Sequence, residues 1–175
     1  MPGDVKPLSK SARAAVLRIA RSHPKLAPLL EDERAQLVIE PNFTDRRAPK
    51  DGDQVVVALY DYRRGESVVA VIDRGQERVL SVEKTPVQFQ LSRAEQREAE
   101  ELAGADPRVQ RFLGGRAANP LTRLYFPPSA TAAVAGHRHA IVFLRPSTSE
   151  RRYAVVDLNE DRVVDFLHPR ALTER

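Results

Sequence analysis

The sequence predicts an α+β protein of two tandem modules, each one helix packed on a four-stranded antiparallel sheet, and three observations predict it. The first is an internal repeat: Leu8-Ser9-Lys10 through Pro24-Lys25-Leu26 to Leu30 returns as Leu91-Ser92-Arg93 through Pro107-Arg108-Val109 to Leu113, 83 residues on. Val69-Ala70-Val71-Ile72-Asp73 through Arg78-Val79 returns as Tyr153-Ala154-Val155-Val156-Asp157 through Arg162-Val163, 84 residues on. Two separated blocks with nearly one spacing mark two copies of one folding unit, here residues 8–87 and 88–170. The second observation is one stretch of helical periodicity in each copy, and the third is a run of strand-like segments joined by links too short for anything but antiparallel order.

The helix of the first copy is expected over about residues 10–22. Ser9 is a good N-cap, and Ala12, Ala15, Val16, Ile19 and Ala20 recur on one face. Those side chains are small, which lets the helix axis lie close against a sheet. In the second copy Ser92 and Glu95 form the Ser-x-x-Glu capping box, with Ala99, Leu102 and Ala103 on one face. Each helix then meets a proline. Asp106-Pro107 reads as an N-cap and first-turn pair opening a short second helical turn that Gly114-Gly115 would stop. Leu26, Leu29 and Leu30 correspond to Val109, Phe112 and Leu113, which makes this corner the plug at one end of each core.

Strands are expected over 35–41, 54–62, 67–73 and 78–85 in the first copy and 121–126, 138–145, 151–158 and 162–167 in the second. Arg63-Arg64-Gly65-Glu66 and Asp73-Arg74-Gly75-Gln76 read as hairpin turns, with Ser147-Thr148-Ser149 and Asn159-Glu160-Asp161 in the equivalent places. Val55 to Leu59, Val68 to Ile72 and Ala140 to Leu144 are apolar on both faces, whereas a sheet with one solvated face should alternate. A single helix covers only one side. The other side is therefore expected to seek a sister module, a homodimer partner or another protein, each shielded Val or Leu contributing about 1–2 kcal/mol.

Composition bounds the function. The 175 residues are 42% hydrophobic with only 6% aromatics, and 28 Lys and Arg against 24 Asp and Glu leave a net charge of +4. That charge is mild and no block of like charge stands out, so nucleic acid is not an expected partner. The absence of cysteine excludes disulfides, thiolate metal sites and cysteine nucleophiles. No apolar run reaches the roughly 18 residues of a membrane span, and Met1 to Lys10 lacks a secretory core, so no membrane association is expected. A cytoplasmic location follows, or a secreted one if a leader has been removed.

On the residues Leu91-Ser92-Arg93-Ala94-Glu95, Asp106-Pro107-Arg108-Val109 and Val155-Val156-Asp157-Leu158, the chain resembles the two small N-terminal domains of copper amine oxidases, tandem cystatin-like modules that precede the catalytic domain. The resemblance covers most of the chain and rests on structural motifs. It implies packing and assembly rather than redox chemistry, because the large domain that carries the copper and the tyrosine-derived quinone in that family has no room here. Three fragments imitate the oxidase site: Tyr60-Asp61-Tyr62, His137-x-His139 and His168. Leu59 replaces the asparagine that the family places before its tyrosine, and Tyr60 aligns with the ordinary core residue Leu144.

Taken without the family, His137 and His139 would point to one side of a strand and could hold zinc, copper or nickel. Arg138 would face the other side, and no carboxylate follows before Glu150, so the pair reads as surface histidines and neither a metal nor a cofactor is expected. Lys6, Lys10, Arg13, Arg18, Arg21 and Lys25 make the first helix region basic against Asp4, while Glu95, Glu98, Glu100 and Glu101 make the second helix acidic; both read as solvated faces. An enzyme with a pocket between helix and sheet would draw acid and base from Asp73, Asp157, Tyr153 or His139. Asp73 and Asp157 sit before turns, where aspartate caps backbone donors. The expectation is a non-catalytic interaction or accessory protein that binds a protein partner or itself through sheet faces; the alternative is a small cystatin-like enzyme or small-ligand binder.

Overall fold

The computed structural model describes residues 8–32, 34, 38–41 (backbone only), 54–127, 136–146 and 150–168. Lys6, Asp4, the expected strand start at 35–37 and the Ser147-Thr148-Ser149 turn lie outside the described residues. The fold is α+β, and the chain divides into two compact units, Met1–Phe89 and Gln90–Arg175.

In the first unit, α1 (Lys10–Ser22) begins where the Ser9 hydroxyl accepts the Ala12 N–H. A 3-10 turn (Ala27–Leu29) follows, then β1 (Val38–Pro41), β2 (Gln54–Asp61), β3 (Glu66–Asp73) and β4 (Arg78–Thr85), paired antiparallel in chain order. Val16, Ile19 and Ala20 of α1 pack with Leu26 onto Val55, Val57, Leu59, Val68, Ala70 and Ile72. Alternate residues of β2 and β3 thus form the core, as the period of a strand requires. Burying these ten apolar chains removes much of the helix face and one sheet face from water, the dominant favourable contribution to folding.

In the second unit, α2 (Arg93–Ala105) opens with the reciprocal Ser92–Glu95 capping box. A further helix, α3 (Pro107–Leu113), follows; β5 (Leu121–Tyr125), β6 (His139–Leu144), β7 (Arg152–Asp157) and β8 (Arg162–Leu167) form a second antiparallel meander. The expectation of one helix per module therefore needs correction in this unit. Asp106 accepts the Arg108 N–H and Pro107 supplies a helix-ready first residue, so the corner winds into seven residues of α-helix before Gly114 ends it at a φ of 54°. In the first unit Leu26 occupies the N-cap position without any side-chain hydrogen bond, and the corner stays a single 3-10 turn.

The duplication extends to irregularities. The β3–β4 ladder slips between Val71 and Ile72, and the β7–β8 ladder slips between Val155 and Val156. The following turns place Glu77 and Asp161, each at a φ of 49°, in the left-handed region. Register also moves one alignment: Leu59 lies opposite Val68 and Leu144 opposite Arg152, so Leu144 corresponds to Leu59 and not to Tyr60.

On the sheet faces turned away from the helices, Val56, Val69, Val71, Phe143 and Tyr153 are half-buried. Ala58, Tyr60 and Ser67 in one unit, and His139, Ile141, Val155 and Asp157 in the other, are all buried. Among the described residues, the large apolar side chains that are exposed are Leu80, Val87, Leu121, Phe126 and Val164. Among the described residues no helix is long and apolar enough to cross a membrane.

Candidate functional site

Antiparallel pairing of β6 with β7 sets His139 opposite Asp157. His137 lies two residues before His139 on the approach to the strand, so its ring reaches the same carboxylate. Its Nδ1 donates to Asp157 Oδ2 at 2.8 Å, and His139 Nε2 stands 3.5 Å from the same oxygen. Asp157 Oδ1 accepts the N–H groups of Asn159 and Glu160 at 2.9 and 3.2 Å, closing the turn into β8. The carboxylate is 1% exposed. It is thus both a turn cap and the shared partner of two imidazoles.

The tautomer of His139 follows from its neighbours. Its Nδ1 lies 3.2 Å from the carbonyl oxygen of His137, which can only accept, so Nδ1 carries the proton and Nε2 of the neutral ring presents a lone pair toward Asp157. Burial pushes His139 below the ordinary histidine range, opposed by the charge of Asp157 and the bond to the His137 carbonyl. The reading of His137 and His139 as surface residues is overturned: His139 is 3% exposed, and the His137 side chain 20%. Sequence reasoning looked for a carboxylate nearby in the chain; the one that joins the histidines arrives from the next strand.

These groups do not make a ready chelate. The two rings are nearly parallel with centroids 6.3 Å apart. Ring nitrogens lie about 1.1 Å from a ring centre, so the two cannot come closer than about 4 Å, whereas ligands at 2.0–2.1 Å from a tetrahedral zinc are about 3.3 Å apart. Among the described residues no group of three or more His, Asp or Glu is arranged to hold a metal ion. His168, just past β8, is exposed.

Arg138, between the two histidines, turns to the opposite face as expected, but what it meets there was not legible. Its guanidinium pairs with Glu95 of α2 with both side chains fully buried, and its Nη2 donates to the Gln90 carbonyl at 2.9 Å. Glu95 therefore does not belong to a solvated acidic face. Glu100 accepts the Thr122 hydroxyl at 2.7 Å, and Glu101 is the exposed acid of that set. On α1, Lys10, Arg13, Arg18 and Arg21 are exposed as expected, Arg18 meeting Glu77 at 2.6 Å.

The first unit holds a cleft of about 1080 Å³ between the corner after α1 and the ends of β2, β3 and β4, lined by Pro28, Leu29, Tyr60, Asp61, Tyr62 and Val68 among others. Its acids are largely engaged. Asp61 accepts the Arg63 and Arg64 N–H groups and the Arg64 guanidinium, and Glu66 meets Lys84 at 2.7 Å. Tyr60 is buried edge-on to Tyr62, with Arg34 over the Tyr62 ring. The cleft contains none of His137, His139 or Asp157. Asp73 accepts the Gln76 N–H, capping its turn, and Tyr153 stacks edge-on against Phe143.

No protein-family model matches the chain, and no curated protein matches it.

Proposed function

We propose that the chain is a non-catalytic interaction or accessory protein of two cystatin-like modules, akin to the small N-terminal domains of copper amine oxidases, that binds a protein partner or a second copy of itself. The observation that carries this reading is at β5. Among the described residues that strand pairs with β6 alone, at the edge of its sheet, and exposes Leu121 (38%) at one end and Phe126 (63%) just past the other. An edge strand flanked by exposed apolar side chains is a template for association. Two of the acid and base candidates, by contrast, are engaged in structure: Asp73 and Asp157 close turns. The contact surface of this reading includes the β5 edge beside the half-buried sheet faces.

Light scattering combined with affinity capture tests the reading. Wild-type chain should scatter above monomer mass or retain a partner, and Leu121→Asp with Phe126→Asp should abolish either. A strictly monomeric wild type that retains nothing, or capture unchanged by the two substitutions, overturns it.

The ligand-binding alternative has the first-unit cleft in its favour. A thermal-shift screen of small metabolites would support it if a hit loses its effect in Val68→Trp, which fills the cleft wall.

A further inference from the structure

Aligned by their turns, the two units differ at one cross-strand pair. In the first, Gln54 faces Asp73; in the second, His139 faces Asp157. The amide of Gln54 carries no charge at any pH, whereas an imidazole changes charge near neutrality. We propose that His137, His139 and Asp157 form a proton-operated latch that holds the start of β6 to the β7–β8 turn when neutral and releases it in acid, confined to the second unit.

Stoichiometry drives it. One carboxylate faces two imidazoles, and its Oδ2 is already taken by the His137 N–H at 2.8 Å. At 3.5 Å, His139 Nε2 is too far for a good hydrogen bond, so a proton placed there puts a charge into a buried site with only the Coulombic attraction of Asp157, already bonded to His137, to offset the lost hydration. The groups facing the latch are Tyr125 on β5, directly opposite His139; His137 before β6; Asp157 on β7; and Arg162 on β8, directly opposite Asp157. Arg162 adds positive charge, and Tyr125 does not titrate in the acid range. Asp157 is the one anion among them. Its Oδ1 also holds the turn, and the Asn159 side chain accepts the Arg138 N–H at 2.8 Å, so disturbance at the histidines reaches both ends of the β6–β7–β8 corner.

The sign follows from linkage. The native ring resists protonation more than an unfolded histidine, so the unfolded chain binds more protons between the two values. The stabilisation is complete above the ordinary histidine value of about 6.5 and drains away as pH falls toward the depressed native value.

Hydrogen exchange on the full chain, corrected for intrinsic rates, tests this. From about pH 7.5 to about pH 5, amides at 138–140 and 157–161 should lose at least about tenfold in protection, while those of β2 and β3 hold theirs and serve as the internal reference. His139→Gln, which copies the first unit, should abolish the loss. Independently of that variant's folding, ring NMR of the wild type should show His139 with Nδ1 protonated at pH 7.5 and titrating below the ordinary histidine value. Equal loss in both units, loss that persists in His139→Gln, or a His139 that titrates at or above the ordinary value overturns the proposal.

Discussion

Arg138 and Glu95 form an ion pair from which solvent is wholly excluded, joining the approach to β6 to the first turn of α2. Glu95 also accepts the Ser92 N–H at 2.6 Å, so one carboxylate caps the helix and neutralises a buried guanidinium. The first unit has nothing comparable on its helix, where Ala12 holds the position of Glu95. Removing one partner leaves the other charge buried alone, which costs about 3–5 kcal/mol, whereas replacing both with apolar chains is often near neutral. Arg138→Met and Glu95→Leu should each lower the urea midpoint by an amount in that range, and the double variant should recover most of the loss. A double variant as unstable as the singles would show the pair to be net stabilising.

The helix caps separate in the same way. Ser92 takes part in a reciprocal box, while the Ser9 hydroxyl accepts one N–H and has no acidic partner in the first turn of α1. Replacement of such caps by alanine costs about 0.5–2 kcal/mol. Ser92→Ala should fall in the upper part of that range, because it also frees Glu95 from its fixed geometry, and Ser9→Ala in the lower part. Urea titration of the two variants against wild type measures the difference.

Much of the fold was legible because its determinants are local. Ser9, Ser92 with Glu95, and Asp106 with Pro107 announce helix starts within four residues, and α1 begins and ends where its spacing predicts. The candidate site was not legible for the complementary reason. Asp157 meets His137 and His139 only through the β6–β7 register, and a one-residue error of register, such as that which aligned Tyr60 with Leu144, reverses which side chains share a face. Glu95 was recognised as a cap, but nothing local announces that its carboxylate also faces Arg138.

Asp106 supplies a pH dependence of its own. Hydrogen bonding to the Arg108 side chain, at 2.8 and 3.0 Å, holds its carboxyl below the usual aspartate range. A depressed carboxylate stabilises the fold above its ordinary value, and that contribution is lost as pH falls through the native value. Arg108 also donates to the Val163 carbonyl at 3.0 Å, so protonation of Asp106 loosens the attachment of α3 to β8. Asp106→Asn keeps a good N-cap while removing the titration. Its acid unfolding curve should therefore be flatter than that of wild type below about pH 4, with little change near neutrality. Parallel curves would show that the Arg108 contact does not favour the charged form.

Two left-handed positions of the second unit make the last test a matched one. Asp161 and Gly114 both occupy the left-handed region, at φ of 49° and 54°, but only one of them is a glycine. A side chain in that region costs about 1–2 kcal/mol, part of which glycine returns through its larger freedom when unfolded. Asp161→Gly should thus raise stability by about 0.5–1 kcal/mol. Gly114→Ala should lower it by about 1 kcal/mol, although no atom lies within 4 Å of the added methyl. Opposite shifts in thermal midpoint for the two substitutions would assign the effect to backbone strain. If Gly114→Ala were neutral, the end of α3 would have to accept a different backbone path without loss.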